Sequence, residues 1–177
     1  MGKQTQRGFT LVEAGTAMTI TVAALVTAIS GFGGVVQKRH TEGVAAELAA
    51  DLQFVRTEAV ARNRGVRLSF DSQPDGARCY VIHTGAAGDC TCGTTGPALC
   101  SGDAVEVKTV LLPADGRTTV RANVASMYYD PVRATVSPTA TIRVVGSDGR
   151  ELRHVVNILG RVRTCAAAGD WAGYRAC

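Results

Sequence analysis

The chain has 177 residues, 46% of them hydrophobic, enough for one globular domain following an N-terminal helix. A formal charge of +4 is a modest excess that does not by itself imply a nucleic-acid partner. The three histidines, His40, His83 and His154, stand apart, and no G-x-S-x-G, phosphate loop or H-E-x-x-H is present, so neither enzymatic activity nor a cofactor is expected.

The chain begins MGKQTQRG, a short polar stretch carrying Lys3 and Arg7, and then turns apolar. From Phe9 to Val36 there is no Lys, Arg or Asp, and Glu13 is the only acid. That run exceeds the roughly 20 residues a membrane-spanning helix needs. A secretory signal peptide fits poorly, because its apolar part would be only about 7–15 residues long and no A-x-A-like cleavage site is suitably placed. A plain signal anchor leaves Glu13 unexplained. A charge in mid-membrane costs roughly 2.5–3.5 kcal/mol, so even one near the end of the span calls for a partner or a task. Gly31, Gly33 and Gly34 each cost about 1 kcal/mol relative to alanine in a helix and suggest a flexible or locally unwound segment. GFGG is no phosphate loop, since it lacks the lysine.

Arg7-Gly8-Phe9-Thr10-Leu11-Val12-Glu13 resembles the class III leader of type IV pilins and type II secretion pseudopilins. The resemblance implies that a prepilin peptidase cuts after Gly8 and methylates the new N-terminal Phe9. It also gives Glu13 a task. Cleavage creates an α-amino group with a pKa near 8. In a filament, the carboxylate of one subunit then pairs with the terminal amine of its neighbour, offsetting two desolvated charges and setting the axial register. Without Lys3 and Arg7 the mature charge falls from +4 by two, to +2.

Gln37 to His40 forms a basic junction, and beyond it Val44, Leu48, Leu52, Val55 and Ala59 recur at helical spacing, while Glu42, Glu47, Asp51, Arg56 and Arg62 fall largely elsewhere. This predicts an amphipathic continuation of the same helix, ended by Asn63-Arg64-Gly65. The period then changes. Val66 to Phe70, Cys79 to His83, Val105 to Leu112, Thr118 to Ala122 and Ser126 to Tyr129 are candidate strands, and Ile142 to Val145 and Glu151 to Ile158 flank the turn sequence Gly-Ser-Asp-Gly-Arg as a hairpin. Residues 84–103, rich in Gly, Thr, Ala and Cys, predict a loop either held by disulfides or poorly ordered. The six cysteines, Cys79, Cys90, Cys92, Cys100, Cys165 and Cys177, favour disulfides in an oxidising compartment. Zinc is the rival, disfavoured by the single residue between Cys90 and Cys92, and no metal site is expected.

Asp51 to Leu68, a helix running straight into a strand, resembles the corresponding junction in the GspH/FimT branch of pseudopilins and minor pilins. The implied fold is α+β and type IV pilin-like, a long N-terminal helix packed on a β-rich C-terminal domain. Its expected divisions are a leader at 1–8, a transmembrane or filament-core half-helix at 9–36, an amphipathic half-helix at 37–63 and a β-rich periplasmic or extracellular domain at 64–177. Residues 84–140 carry no motif that matches.

The C-terminal stretch Gly160 to Cys177 is the remaining clue. In an extended chain Arg161 and Arg163 share a face with Val162 turned inward, and two guanidinium forks suit adjacent phosphates. A Cys165–Cys177 bond would close a loop worth about 3 kcal/mol on the chain-entropy argument. Within it Trp171 and Tyr174 can stack on bases, and Arg175 adds charge. The plainer reading makes Arg-x-Arg a solvated strand end and Trp171 a plug over the core. Gly160-Arg-Val-Arg163 resembles the G-R-x-R motif of FimT-like minor pilins that bind DNA in natural transformation. That resemblance implies double-stranded DNA and other pilins of the filament as partners. It places the chain in the inner membrane as a single-pass protein, then in the pilus. The alternative is a purely structural minor pilin or a GspH-like secretion pseudopilin that primes or caps a filament.

Overall fold

The computed structural model describes residues 8, 10–73, 76–93, 96–112, 115–167 and 171–177; the side chains of 26–32 and 72–73 lie outside that description. Its one long helix, α1, runs Leu11–Arg62. The helical backbone continues through Gly31, Gly33 and Gly34, so the expected unwinding there does not occur. The helix ends where the sequence indicates. Asn63 takes a left-handed φ of 49°, a role in which asparagine is second only to glycine, and the Arg64 amide reaches back to the Ala59 carbonyl at 3.2 Å. The chain divides into two compact units, Met1–Val36 and Gln37–Cys177.

In the second unit, strands β1 (Val66–Gln73), β2 (Gly76–His83), β3 (Cys90–Thr91), β4 (Leu99–Cys100), β5 (Glu106–Leu111), β6 (Thr118–Ala122), β7 (Ser126–Tyr129), β8 (Val136–Ser137), β9 (Ala140–Gly146), β10 (Glu151–Val156) and β11 (Val162–Ala166) follow the helix. The main sheet has the order β11-β10-β9-β6-β2-β1-β7-β8 with β5 added on β2, and every pairing is antiparallel. β11 is therefore an edge strand. The turn Gly146–Arg150 joins β9 to β10 as a tight hairpin, with the Gly146 amide on the Arg150 carbonyl at 2.9 Å.

Leu48, Leu52, Val55 and Ala59 of α1 are buried against Leu68, Tyr80, Ile82, Ile142, Val144 and Leu152, so the apolar stripe of the helix meets the inner face of the sheet. One polar cluster ties the two layers. The buried Asp51 carboxylate accepts hydrogen bonds from the Tyr80 hydroxyl and from Lys108 Nζ, both at 2.7 Å. Burial first, and then this carboxylate, pushes the Tyr80 phenol far above its ordinary pKa and keeps it a donor.

The cysteine-rich loop is folded. Disulfide Cys79–Cys92 fastens it to β2, Cys90–Cys100 ties β3 to β4 within it, and Cys79, Val81 and Cys90 form a small second core beneath it with Ala98 and Ala104. A third disulfide joins Cys165 to Cys177, which leaves no cysteine free. His83 and His154 are fully buried. His83 is held between Ser69 Oγ and the Thr84 carbonyl, each at 2.8 Å, and His154 lies 2.9 Å from Thr164 Oγ1.

Candidate nucleic-acid interface

The Gly160-Arg-Val-Arg163 segment forms the turn between β10 and β11 and the start of the edge strand. Asn157 organises it: its side-chain Oδ1 accepts from the amides of Leu159 (3.1 Å) and Arg161 (2.9 Å), while its carbonyl accepts from Gly160 (2.9 Å). Gly160 has φ of 68°, and a Cβ there would lie 3.1 Å from Arg56 Cδ and 3.2 Å from Val136 Cγ2. The backbone favours glycine, and a side chain there would also press on the Arg56 and Val136 side chains. The Val136 amide donates to the Ile158 carbonyl at 2.8 Å, so β8 braces the turn from the other side.

Along β11, Arg161 and Arg163 are exposed and the intervening Val162 packs half-buried against the core. Register places Arg163 opposite Val155 and Thr164 opposite the buried His154, which turns Arg163 outward; Arg161 lies one residue before the strand, its carbonyl accepting from the Asn157 amide at 3.2 Å. Beside them is a cleft of 380 Å³ lined by Gln53, Arg56 and Thr57 of α1 and by Gly160, Arg161 and Val162. Arg56 thus joins Arg161 at one opening. Sequence reasoning places Arg56 only among the polar residues of the helix; its neighbour lies a hundred residues away, beyond the reach of any local signal.

The tail folds back along β11. Ala166 donates its amide to the Arg175 carbonyl at 2.9 Å, and the Cys177 amide donates to the Ala166 carbonyl at 3.0 Å. Arg175 is exposed. Trp171 is not available to stack on bases: it is 3% exposed within the main core, edge-on to Tyr174 at 6.2 Å, with Lys38 Nζ 5.6 Å from its ring centroid. The plainer reading of Trp171 as a plug is correct. Its large apolar ring gains more from covering the open end of the core than from standing in water.

At the other end of the chain, Gly8 is exposed, while Arg7 and Phe9 lie outside the described residues. Thr10 precedes the helix and its Oγ1 accepts from the Glu13 amide at 3.3 Å. Thr10-Leu-Val-Glu13 is therefore a capping sequence, with exposed Glu13 in the first turn where the helix dipole favours an acid. Among the described residues no helix is long and apolar enough to cross a membrane, and the side chains of 26–32, in the middle of the apolar run, are outside them.

Two crystal forms of the type IV minor pilin FimU of Pseudomonas aeruginosa share the fold. The first has a TM-score of 0.54 at 18% identity over 71% of this chain and 88% of FimU, and the second 0.51 at 18% over 70% and 90%. No curated protein matches the chain. Residues 44–160, from the amphipathic helix to the glycine of the β10–β11 turn, match the family model of the type II transport protein GspH, and the chain belongs to that family.

Proposed function

We propose that this GspH-family protein is a minor pilin that binds extracellular double-stranded DNA for uptake, through Arg161, Arg163 and Arg175. The observation that carries the reading is the exposure of Arg161, just before the edge strand, and of Arg163, on it, in a segment stiffened by the Asn157 turn and the Cys165–Cys177 bond. Guanidinium groups on a stiffened segment lose little freedom when they meet phosphates, and Arg56, at the cleft with Arg161, adds a third charge. In this reading residues 9–36 reside in the inner membrane until a prepilin peptidase removes residues 1–8. The helix then enters the filament, with Glu13 pairing to a neighbour's terminal amine. Residues 64–177 face the periplasm and the cell exterior.

The test is the salt dependence of duplex binding by the full chain in detergent. Each phosphate contact contributes about 0.9 to the slope of log affinity against log salt, so Arg161→Gln with Arg163→Gln lowers it by about 1.8, on any sequence. A control pair, Arg39→Gln with Arg117→Gln, leaves the slope unchanged: the Arg117 carbonyl accepts from Ser147 in the β9–β10 turn and from the side chain of Gln37, two residues before Arg39. Equal loss from both pairs would mean diffuse charge. One subunit binds weakly, and several along a filament supply the grip.

The second reading is a structural pseudopilin of a type II secretion filament, which membership of the GspH family favours. It requires that the tail pair change nothing in DNA binding or transformation while filaments still form.

A further inference from the structure

Strand register brings together a second set of arginines that are far apart in sequence. Arg121 of β6 pairs directly with Arg143 of β9, and Arg143 pairs directly with Arg153 of β10. Their strand neighbours Val120, Ile142, Val144 and Leu152 are buried in the main core, so the three arginines occupy the opposite, outward face. Arg163 belongs to the next row of that face, across from Val155, which itself lies across from Thr141.

Directly opposed residues on adjacent strands have Cβ atoms about 5 Å apart, and like charges so placed destabilise a sheet. The fold compensates only in part. Glu151, the sole acid in β6, β9, β10 and β11, approaches Arg143 Nε at 3.7 Å and also pairs closely with Arg153 Nε. Arg121 is exposed and has no ion-pair partner among the described residues. Two of the three guanidiniums thus share one carboxylate, the third has none among the described residues, and the side chain of Arg143 remains 55% exposed. The disulfide-fastened loop covers Cys79 and Val81 of β2 and forms its small core there rather than over this row.

We propose that the outward face of β6, β9, β10 and β11 is a phosphate-binding track, in which Arg121, Arg143 and Arg153 lead to Arg163 and Arg161 at the sheet edge. Three adjacent strands span about 10 Å, the axial rise of about three nucleotides in one strand of a duplex. Right-handed sheet twist turns successive forks progressively, as a row following a helical backbone requires. The partner is a polyanion with closely spaced phosphodiesters, and its approach relieves the mutual repulsion of the row. This inference rests on the DNA reading of the tail and enlarges that site from a tip to a face.

The experiment uses the full chain and a short mixed-sequence duplex, titrated with salt. Arg121→Gln lowers the slope by about 0.9, and Arg121→Gln with Arg143→Gln lowers it by about 1.8. The melting temperature of the double variant is unchanged or raised, because a like-charge pair is removed. Arg121→Lys restores most of the slope, as a retained charge should. An unchanged slope in both glutamine variants, with the Arg161→Gln and Arg163→Gln pair still lowering it, overturns the track and leaves the tail reading standing. If neither set lowers the slope, the DNA reading fails as well. Should the double variant fail to fold, Arg121→Gln decides alone, since no ion pair is lost with it. Binding to anionic phospholipid vesicles in preference to the duplex would also overturn the assignment.

Discussion

His154 provides a sharp test of how the sheet is packed. It lies on the inward face of β10 with no exposed surface, and its Nδ1 contacts Thr164 Oγ1 at 2.9 Å. Burial lowers its pKa from the ordinary 6.5 to about 4; the nearby Ala45 carbonyl opposes this only weakly, since Nε2 makes no well-formed hydrogen bond. The folded protein therefore binds this proton less readily than the unfolded chain. The resulting stability is fully present above pH 6.5 and is lost as pH falls from 6.5 towards 4. By linkage, the loss between neutral pH and pH 5 is about 2 kcal/mol. His154→Leu removes the titration. It also strands the Thr164 hydroxyl, at a cost of about 1–3 kcal/mol that is nearly the same at both pH values and cancels in the difference. Every residue of the main core falls within Gln37–Cys177, so a fragment starting at Gln37 suits urea unfolding at the two pH values. The wild type loses about 2 kcal/mol more than His154→Leu between them. Equal pH dependence in the two proteins would refute the burial of His154 and, with it, the inward register of β10.

Asp51→Ala leaves the buried Tyr80 hydroxyl without an acceptor and releases Lys108, which is 39% exposed and regains water. The expected loss is about 2–3 kcal/mol, below that of a fully buried pair, read from the urea midpoint. Cys165→Ser with Cys177→Ser loses about 3 kcal/mol and loosens the tail that carries Trp171. Limited proteolysis then cuts between residues 166 and 177 while the rest of the domain persists. An intact tail in that variant would show that Trp171 alone anchors it.

The helix, its end at Asn63 and most strands were legible because each is encoded locally, by a 3.6-residue or a two-residue period bounded by turn residues. Thr118–Ala122 and Ser126–Tyr129 are where alternation puts them, and the Gly-Ser-Asp-Gly-Arg turn lies between β9 and β10. β8 has only Val136 and Ser137, too short for any period to register. The tail motif was visible as a word, but what surrounds it was not. Arg56 reaches Gly160 because the helix crosses the sheet there, and Arg121, Arg143 and Arg153 align because three strands take one register among several that their alternation permits. The expected stacking role of Trp171 failed for a related reason. Aromatic content in a tail says nothing about which side of the sheet edge the tail folds towards.

Glu13 shows how one residue supports two physical accounts that a single substitution cannot separate. As the third residue after the Thr10 cap it stabilises the first turn of α1, and as a carboxylate in the apolar run it is suited to pair with a neighbouring subunit's amine. Alanine removes both roles. Glu13→Gln keeps a residue that a capping sequence accepts and forfeits only the charge, about 0.3–1 kcal/mol at the exposed end of a helix. Thr10→Val does the converse, deleting the cap and keeping the carboxylate. If Glu13 sets filament register, Glu13→Gln is cleaved after Gly8 as the wild type is, by intact mass. It is nevertheless depleted from sheared filaments, whereas Thr10→Val assembles. If capping is its whole task, the order reverses: the glutamine variant assembles normally and the valine variant is the poorer one. Normal incorporation of Glu13→Gln would therefore refute the pairing argument.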